Sequence, residues 1–354
     1  MKKRNVNTIL ERQIKNKMYR TIGHSICFRF TIIFLFLAMA SCERVDEHIN
    51  VIHDTVYLRP SNPEDPADPN EPIVPSVPPV GGFDSCGASN ALFSINYNRK
   101  VHFSKGNLQY NASTNTWRFA EHQYDFVGAN NANISRDYDG WIDLFGWGTS
   151  GWNSGATCYH PWSYASVYSY YYPGGNYTNN LTGNYSNADW GVYNRISNGG
   201  DNVGMWRTLT KEEWLYLFWS RSGADSKYGT AIVNGKNGIV ILPDVWTTPS
   251  GMNFSAGLGS YDRNVYTVSE WHRMESYGAI FLPTAGARLP DEATEAYCTT
   301  YHSGYCSYWS STCCGYDDAY RLIASPYQNT VECNGGNYSI LSRSTGHSVR
   351  LVRE

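Results

Sequence analysis

Five cysteines, Cys298, Cys306, Cys313, Cys314 and Cys333, crowd the C-terminal end of this 354-residue chain. Thiol chemistry needs an ionised, accessible sulfur, usually one of a close pair. Here seven residues separate Cys298 from Cys306, and six separate Cys306 from Cys313. No C-x-x-C or H-x-x-x-H pair occurs, so a zinc site is not indicated. His102, His122, His160, His272, His302 and His347 are scattered. Glu270 and Glu275 stand five apart, which does not place two carboxylates on one helix face. No nucleophile elbow, phosphate loop or dinucleotide fingerprint is present. No catalytic residue, metal or cofactor is therefore expected.

The same region carries a different chemistry. Of the 50 residues from Tyr297 to Gly346, 24 are Tyr, Ser, Gly or Asn, and none is Lys. Tyrosine gives large contact area with little rotamer freedom to lose, and Ser, Gly and Asn give adaptable hydrogen bonds, as in antibody paratopes. The expected contact residues are Tyr301, His302, Tyr305, Cys306, Tyr308, Cys313, Cys314, Tyr316, Asp317, Asp318, Tyr320, Arg321, Asn334, Asn337, Tyr338 and Arg343. A second aromatic group, Trp141, Trp147, Trp152, Trp162, Tyr168, Tyr170, Tyr171 and Tyr172, could stack on sugar faces or pack irregular loops.

Short apolar runs at 91–95, 100–103, 238–242, 279–282 and 348–352 read as strands bounded by Gly, Asn and Pro. Thr210 and Glu213 form a capping box ahead of Trp214, Leu215, Leu217 and Phe218, which predicts a helix ending by Gly223. A weaker helix is predicted from Ser269 to about Ser276, carrying Trp271 and Met274. Long Gly/Asn/Ser/Tyr stretches, such as 128–202, lie between these elements.

The segment Trp206-Arg207-Thr208-Leu209-Thr210-Lys211-Glu212-Glu213-Trp214 resembles the W-R-L-P-T-x-x-E-W segment of the formylglycine-generating-enzyme/sulfatase-modifying-factor superfamily, with Thr208-Leu209 in place of Leu-Pro. Residues 278–288, Tyr308-Trp309-Ser310-Ser311-Thr312 and 346–352 recur in the same order. The series resembles the major-paralogous-domain branch of that superfamily. The resemblance covers about residues 200–354 and implies an α+β, C-type lectin-like fold, formylglycine-generating-enzyme-like, irregular and with long loops. Its last strand would return beside the start of the domain, and the loops before that strand would face the ligand. Trp206, Arg207, Glu213, Trp214, Trp309, Ser310, Ser311 and Arg350 would form the fixed frame. The enzymes of that superfamily use two cysteines with four residues between them, a spacing absent here.

Lectin-like folds with such a tract are also found among targets of diversity-generating retroelements, where adenine-rich Asn codons are randomised. Those codons yield Tyr, Cys, Ser, Gly, Asp, His, Asn and small or branched apolar residues, but not Lys, Glu, Gln, Met or Trp. The runs 313–318 and 333–338 hold only residues of the first kind, whereas Gln328 and Glu332 would be fixed by the template.

The N-terminus reads as an address. Residues 1–42 hold eight Lys/Arg and one acid; the remainder carries 20 basic and 30 acidic residues, a net −10 that disfavours nucleic acid. Basic residues, an apolar run from Ile26 to Ala40 and small residues before Cys42 make a secretory signal of lipoprotein type over 1–41, with Cys42 lipidated. Met18 is an alternative start that would leave 1–17 untranslated. Acidic residues after Cys42 resemble surface-export signals of outer-membrane lipoproteins. A tether spans 42–59. A stalk over 60–82 follows, where Pro60, Pro63, Pro66, Pro69, Pro72, Pro75 and Pro78 match the polyproline II period of three. Twenty such residues span roughly 60 Å. The globular part would run from 83 to 354. Beyond Cys27 and Cys42 seven cysteines remain, an odd number that cannot all pair internally. Mostly free thiols are expected, with Cys86–Cys158 an open pairing. The composition, with 28 Tyr, 12 Trp and 32 Gly, is too aromatic for a disordered chain and wrong for a helical bundle. The sequence therefore predicts a lipid-anchored outer-membrane protein at the cell surface that binds a protein or glycan ligand, touching the membrane through its anchor alone. The alternatives are an adhesin or glycan binder of fixed specificity, and a formylglycine-type oxidase.

Overall fold

Apolar runs that are continuous rather than alternating must be buried on both faces, and this rule organises the molecule. The computed structural model describes residues 81–290, 296–299, 304–325, 330–333 and 340–354. The signal, Cys42, the tether and the stalk as far as residue 80 lie outside them, as do Tyr301, His302, Asn334, Asn337 and Tyr338.

The architecture is mixed α+β, mostly short sheets with few helices. The strands are β1 (Phe93–Ser94), β2 (Lys100–Phe103), β3 (Leu108–Asn111), β4 (Thr116–Phe119), β5 (Trp141–Ile142), β6 (Arg207–Thr208), β7 (Tyr228–Val233), β8 (Lys236–Ile241) and β9 (Val265–Tyr266). They continue with β10 (Ile280–Pro283), β11 (Ala287–Pro290), β12 (Ala296–Thr299), β13 (Cys306–Cys314), β14 (Asp318–Ser325), β15 (Thr330–Glu332), β16 (Ile340–Ser342) and β17 (Leu351–Arg353). The helices are α1 (Trp190–Tyr193), α2 (Lys211–Leu215) and α3 (Val268–Ser276).

Four strands in the order β10-β8-β7-β9 divide two apolar clusters by the two-residue period of a strand. Ile239, Ile241, Ile280 and Leu282 face the first cluster; Val240, Leu242, Phe281 and Ala279 face another with Trp271 and Met274 of α3. The β13–β14 hairpin separates the first cluster from a third in the same way. Tyr308, Leu322 and Ala324 point to one side, Trp309 and Ala319 to the other. The C-terminal strand β17 returns between β2 and β6, pairing Val352 with both Phe103 and Arg207.

The segment before β17 ties the sheets together. Gly346 bridges Arg288, His347 bridges Phe145 and Ser348 bridges Tyr308. A Cβ on Gly346 would sit 2.9 Å from the Arg288 Cβ and 3.0 Å from the Leu144 carbonyl, so only glycine fits this crossing.

The predicted capping box forms, and a second one, not read from the sequence, starts α3. In α2, Thr210 accepts from the Glu213 amide, and Glu213 accepts from the Thr210 amide at 2.9 Å. The helix continues as a turn of π-helix through Tyr216–Ser220 and is followed by Gly223 in the left-handed region, φ 66°. In α3, Thr267 and Glu270 make the same exchange. No helix among the described residues is long and apolar enough to cross a membrane.

One expectation is corrected. Much of the tract between Tyr297 and Gly346 is a long antiparallel hairpin, β13–β14, with β15 and β16 on the outer edge of β14, rather than loops. The alternation of Tyr, Ser, Ile, Leu and Cys satisfies a strand buried on both faces as readily as it satisfies a loop.

Candidate ligand-binding surface

The base of the hairpin is locked by the frame. The Trp309 indole N–H donates to the Phe145 carbonyl at 2.7 Å, and the Trp147 indole donates to the Ser310 carbonyl at 2.8 Å. The Ser311 amide donates to the Leu209 carbonyl at 2.9 Å, and the Lys211 amide to the Thr312 hydroxyl at 3.1 Å, so α2 sits on β13. Arg207 holds Glu213 with two bonds of 2.7 and 2.8 Å. Arg350 is buried and donates to Gln123 Oε1 at 2.7 Å; burial lowers its guanidinium to about 10. Trp206, Trp214, Ser310 and Ser311 are buried with it.

Four of the expected contact residues are buried, three of them in this base and the fourth, Arg343, against the tip. The three are Cys306, Tyr308 and Arg321. The Tyr308 hydroxyl donates to Asn107 Oδ1 at 3.0 Å, and Arg321 donates to the Ser307 hydroxyl at 2.6 Å. Cys306 is enclosed among carbon atoms of the first cluster, and burial pushes its thiol far above the ordinary range. Burial is also the main reason that the Cys333 thiol is held un-ionised. The side chains of Cys306, Tyr308 and Arg321 are aimed inward because strand alternation puts them there, whereas Arg343 follows β16 and is held inward by the carbonyls it binds.

The hairpin tip has a different construction. A register shift between Trp309 and Cys313 bends β13, after which Cys313 pairs with Ala319 and Cys314 with Asp318. Gly315 turns the chain at φ 57°. Tyr316 is 63% exposed, Asp317 is exposed, and Cys313, Cys314, Asp318 and Tyr320 are half-buried. Burial and the neighbouring Asp317 raise the Asp318 carboxyl, against the pull of Arg343 and Arg321. On the opposite side of the tip the Lys211 ammonium lies 4.3 Å from the centre of the Tyr320 ring. Tyr305, at the start of the hairpin, is half-buried.

The tip is held by its backbone. Arg343 donates to the carbonyls of Asp318 at 3.0 Å, Gly315 at 3.1 Å and Tyr177 at 2.6 Å. Its guanidinium lies between Trp147 and Tyr172, 4.7 and 4.8 Å from their ring centres. The Tyr172 hydroxyl donates to the Tyr316 carbonyl. The Arg343 amide donates to the Asp317 carbonyl at 3.1 Å, and the Cys313 amide to Asn180 Oδ1 at 2.8 Å. Side-chain ties add to these, from the Cys313 thiol to the Thr178 carbonyl at 3.3 Å, between Tyr316 and Tyr177, and between Cys314 and Tyr320.

These bonds bring the two expected surfaces together. Tyr316 packs on Tyr177 with ring centres 4.0 Å apart; Tyr177 meets Tyr172 at 6.3 Å, and Tyr172 meets Tyr168 at 6.4 Å. Tyr168 and Tyr170 are each 41% exposed. The tyrosine loop and the hairpin tip thus form one aromatic patch. Trp147, Tyr171 and Tyr172 of the expected aromatic group are buried, the first two in packing and Tyr172 in holding the tip. Tyr177 and Asn180 were not singled out in the sequence, and their only signal was the density of Tyr and Asn around them.

Cys86, Cys158, Cys306, Cys313, Cys314 and Cys333 carry free thiols. No three His, Cys, Asp or Glu side chains among the described residues cluster as a metal site. No family model, curated protein or solved structure matches the chain.

Proposed function

We propose that this chain is a lipid-anchored, non-catalytic binding protein of C-type lectin-like architecture. In this reading Cys42 carries the lipid, the proline stalk lifts the domain off the outer membrane, and a protein or glycan ligand meets the patch formed by the hairpin tip and the tyrosine loop. One observation carries the reading. The backbone of the tip is fixed from outside by Arg343, Tyr172 and Asn180, so its shape does not rest on its exposed side chains, Tyr316 and Asp317, which are presented to solvent.

The same observation favours a surface whose side chains can change without loss of the fold, as a retroelement-diversified receptor requires. Fixed specificity remains the second reading, supported by the tyrosine loop, which lies outside the tract and would contribute constant contacts. The burial of Cys306 and Cys333 weighs against the oxidase reading, because neither thiol is poised to ionise.

The test is replacement of Cys314, Tyr316 and Asp317 together by serine, followed by thermal unfolding and by binding to arrays of glycans and cell-surface proteins. An unchanged midpoint with loss of the array signal is expected. An unfolded variant, or an undiminished signal, overturns the proposal. Sequencing the last 150 or so bases of the gene across many cells then separates the two readings: substitutions confined to 301–345, with Trp309 and Arg350 constant, mark diversification.

A further inference from the structure

A groove of about 500 Å³, lined by no residue of the hairpin, opens beside the third apolar cluster. Its volume lies within the range of small-molecule sites. One wall is aromatic. The Trp162 ring lies parallel to the His160 imidazole, with centres 4.4 Å apart and planes 9° apart, and is offset-stacked on Tyr110 at 6.1 Å and 25°. Tyr110 packs in turn on Trp117 at 4.5 Å, and its hydroxyl donates to Asn115 Oδ1 at 3.0 Å. Trp162 is therefore packed against both His160 and Tyr110 yet only half-buried, and the three rings make one wall fixed before any ligand arrives.

The remaining lining is polar. Arg136 and Asp137 are exposed on the rim, and Tyr193 is 38% exposed. The Asn194 amide is oriented by donating to the carbonyls of Ser150 at 2.8 Å and Trp190 at 3.0 Å. Burial, with a smaller contribution from Arg136, lowers the His160 imidazole, so it offers this groove no charge at neutral pH. One cation faces one carboxylate, which is a poor cradle for phosphate or a carboxylate ligand. A purely apolar ligand would leave these polar groups without partners. A neutral ring with one apolar face and a hydroxyl-bearing edge meets both walls.

We propose that this groove binds the end of a neutral pyranoside glycan, with the wall of Tyr110, Trp162 and His160 against its apolar face and Asp137, Arg136 and Asn194 taking its hydroxyls. The site is separate from the hairpin surface.

The full chain is titrated with methyl glycosides of glucose, galactose, mannose and N-acetylglucosamine, with methyl glucuronide as the charged control. Tryptophan fluorescence and saturation-transfer NMR report binding. At least one neutral glycoside is expected to saturate. Trp162→Ala should weaken it about tenfold or more, the loss typical of removing an aromatic anchor. Asp137→Ala, at an exposed position, should weaken binding with no change in thermal midpoint, and Val245→Ala, at an exposed position outside both surfaces, should leave it unaltered. The proposal is overturned if none of the neutral glycosides binds at millimolar concentration, if glucuronide is preferred, if binding survives both groove variants, or if Val245→Ala abolishes it.

Discussion

The two ends of the β13–β14 hairpin use the same residue types for opposite purposes. At the base, Cys306, Tyr308 and Trp309 are buried without exposure, and each side chain has a fixed neighbour or acceptor. At the tip, Cys314 is half-buried and Tyr316 is mostly exposed, and the backbone does most of the holding. A cysteine or tyrosine in this tract is therefore core or surface according to its strand position and its distance from the turn, not its chemistry.

The contrast is largest for thiols. A buried thiol reacts only when the structure opens around it, and opening to the core of a stable domain is disfavoured by roughly 10³-fold or more. Native alkylation should therefore label Cys86, Cys313 and Cys314 quickly while Cys158, Cys306 and Cys333 stay protected until denaturant is added. Peptide mass spectrometry reads the order. Labelling of Cys306 at the rate of Cys314 would erase the difference between base and tip.

At the base, Trp309→Ala removes a buried ring and leaves the Phe145 carbonyl without its indole donor. A loss of about 3–5 kcal/mol is expected in chemical unfolding. A loss below about 1 kcal/mol would mean that the hairpin base is not part of the cooperative core.

Why this division was only partly legible in sequence follows from particular residues. Thr210 and Glu213 announced α2 because a capping box is local chemistry. Ile239 to Leu242 announced a strand through their apolar run between turn residues, but not that it would lie between two neighbours. The return of β17 beside β2 was implied by the resemblance of its motif. The hairpin was missed because Tyr and Ser serve a loop and a doubly buried strand equally well. Arg343 was placed on the surface because its partners are carbonyls brought from Tyr177 and Gly315, which no sequence spacing reveals. The joining of the tyrosine loop to the tip depends on the same long-range contacts.

Below the frame, Asp189 anchors β6. Its carboxylate accepts from the Thr208 amide at 2.8 Å, the Thr208 hydroxyl at 3.0 Å and the Gly191 amide at 3.0 Å. Burial outweighs these bonds and pushes the carboxyl up to about 6 from 3.8. A raised carboxyl binds its proton more tightly in the folded state. Its contribution to stability is full below about pH 4 and is lost as pH rises through 6, by roughly 3 kcal/mol. Asp189→Asn cannot titrate, so the wild type should lose about that much relative to the variant between pH 4 and pH 7. Parallel stability curves for the two proteins would show that Asp189 does not titrate in this window.

The smallest effect is expected at Tyr316, and its smallness is the sharpest statement about the tip. The ring packs on Tyr177, and an aromatic pair of this kind contributes about 0.5–1.5 kcal/mol when enclosed. Here Tyr316 is 63% exposed, so the pair is screened by water and its solvent-facing side gains nothing from burial. The bond from the Tyr172 hydroxyl goes to the Tyr316 carbonyl, which alanine keeps. The Arg343 bonds go to the Gly315 and Asp318 carbonyls, which the substitution also leaves. Tyr316→Ala should therefore change unfolding free energy by less than about 0.5 kcal/mol, as surface substitutions away from special features do. A loss several times larger would place the ring among the supports of the hairpin. The tip would then be a structural corner, and a surface that needs freedom to vary would have to lie elsewhere.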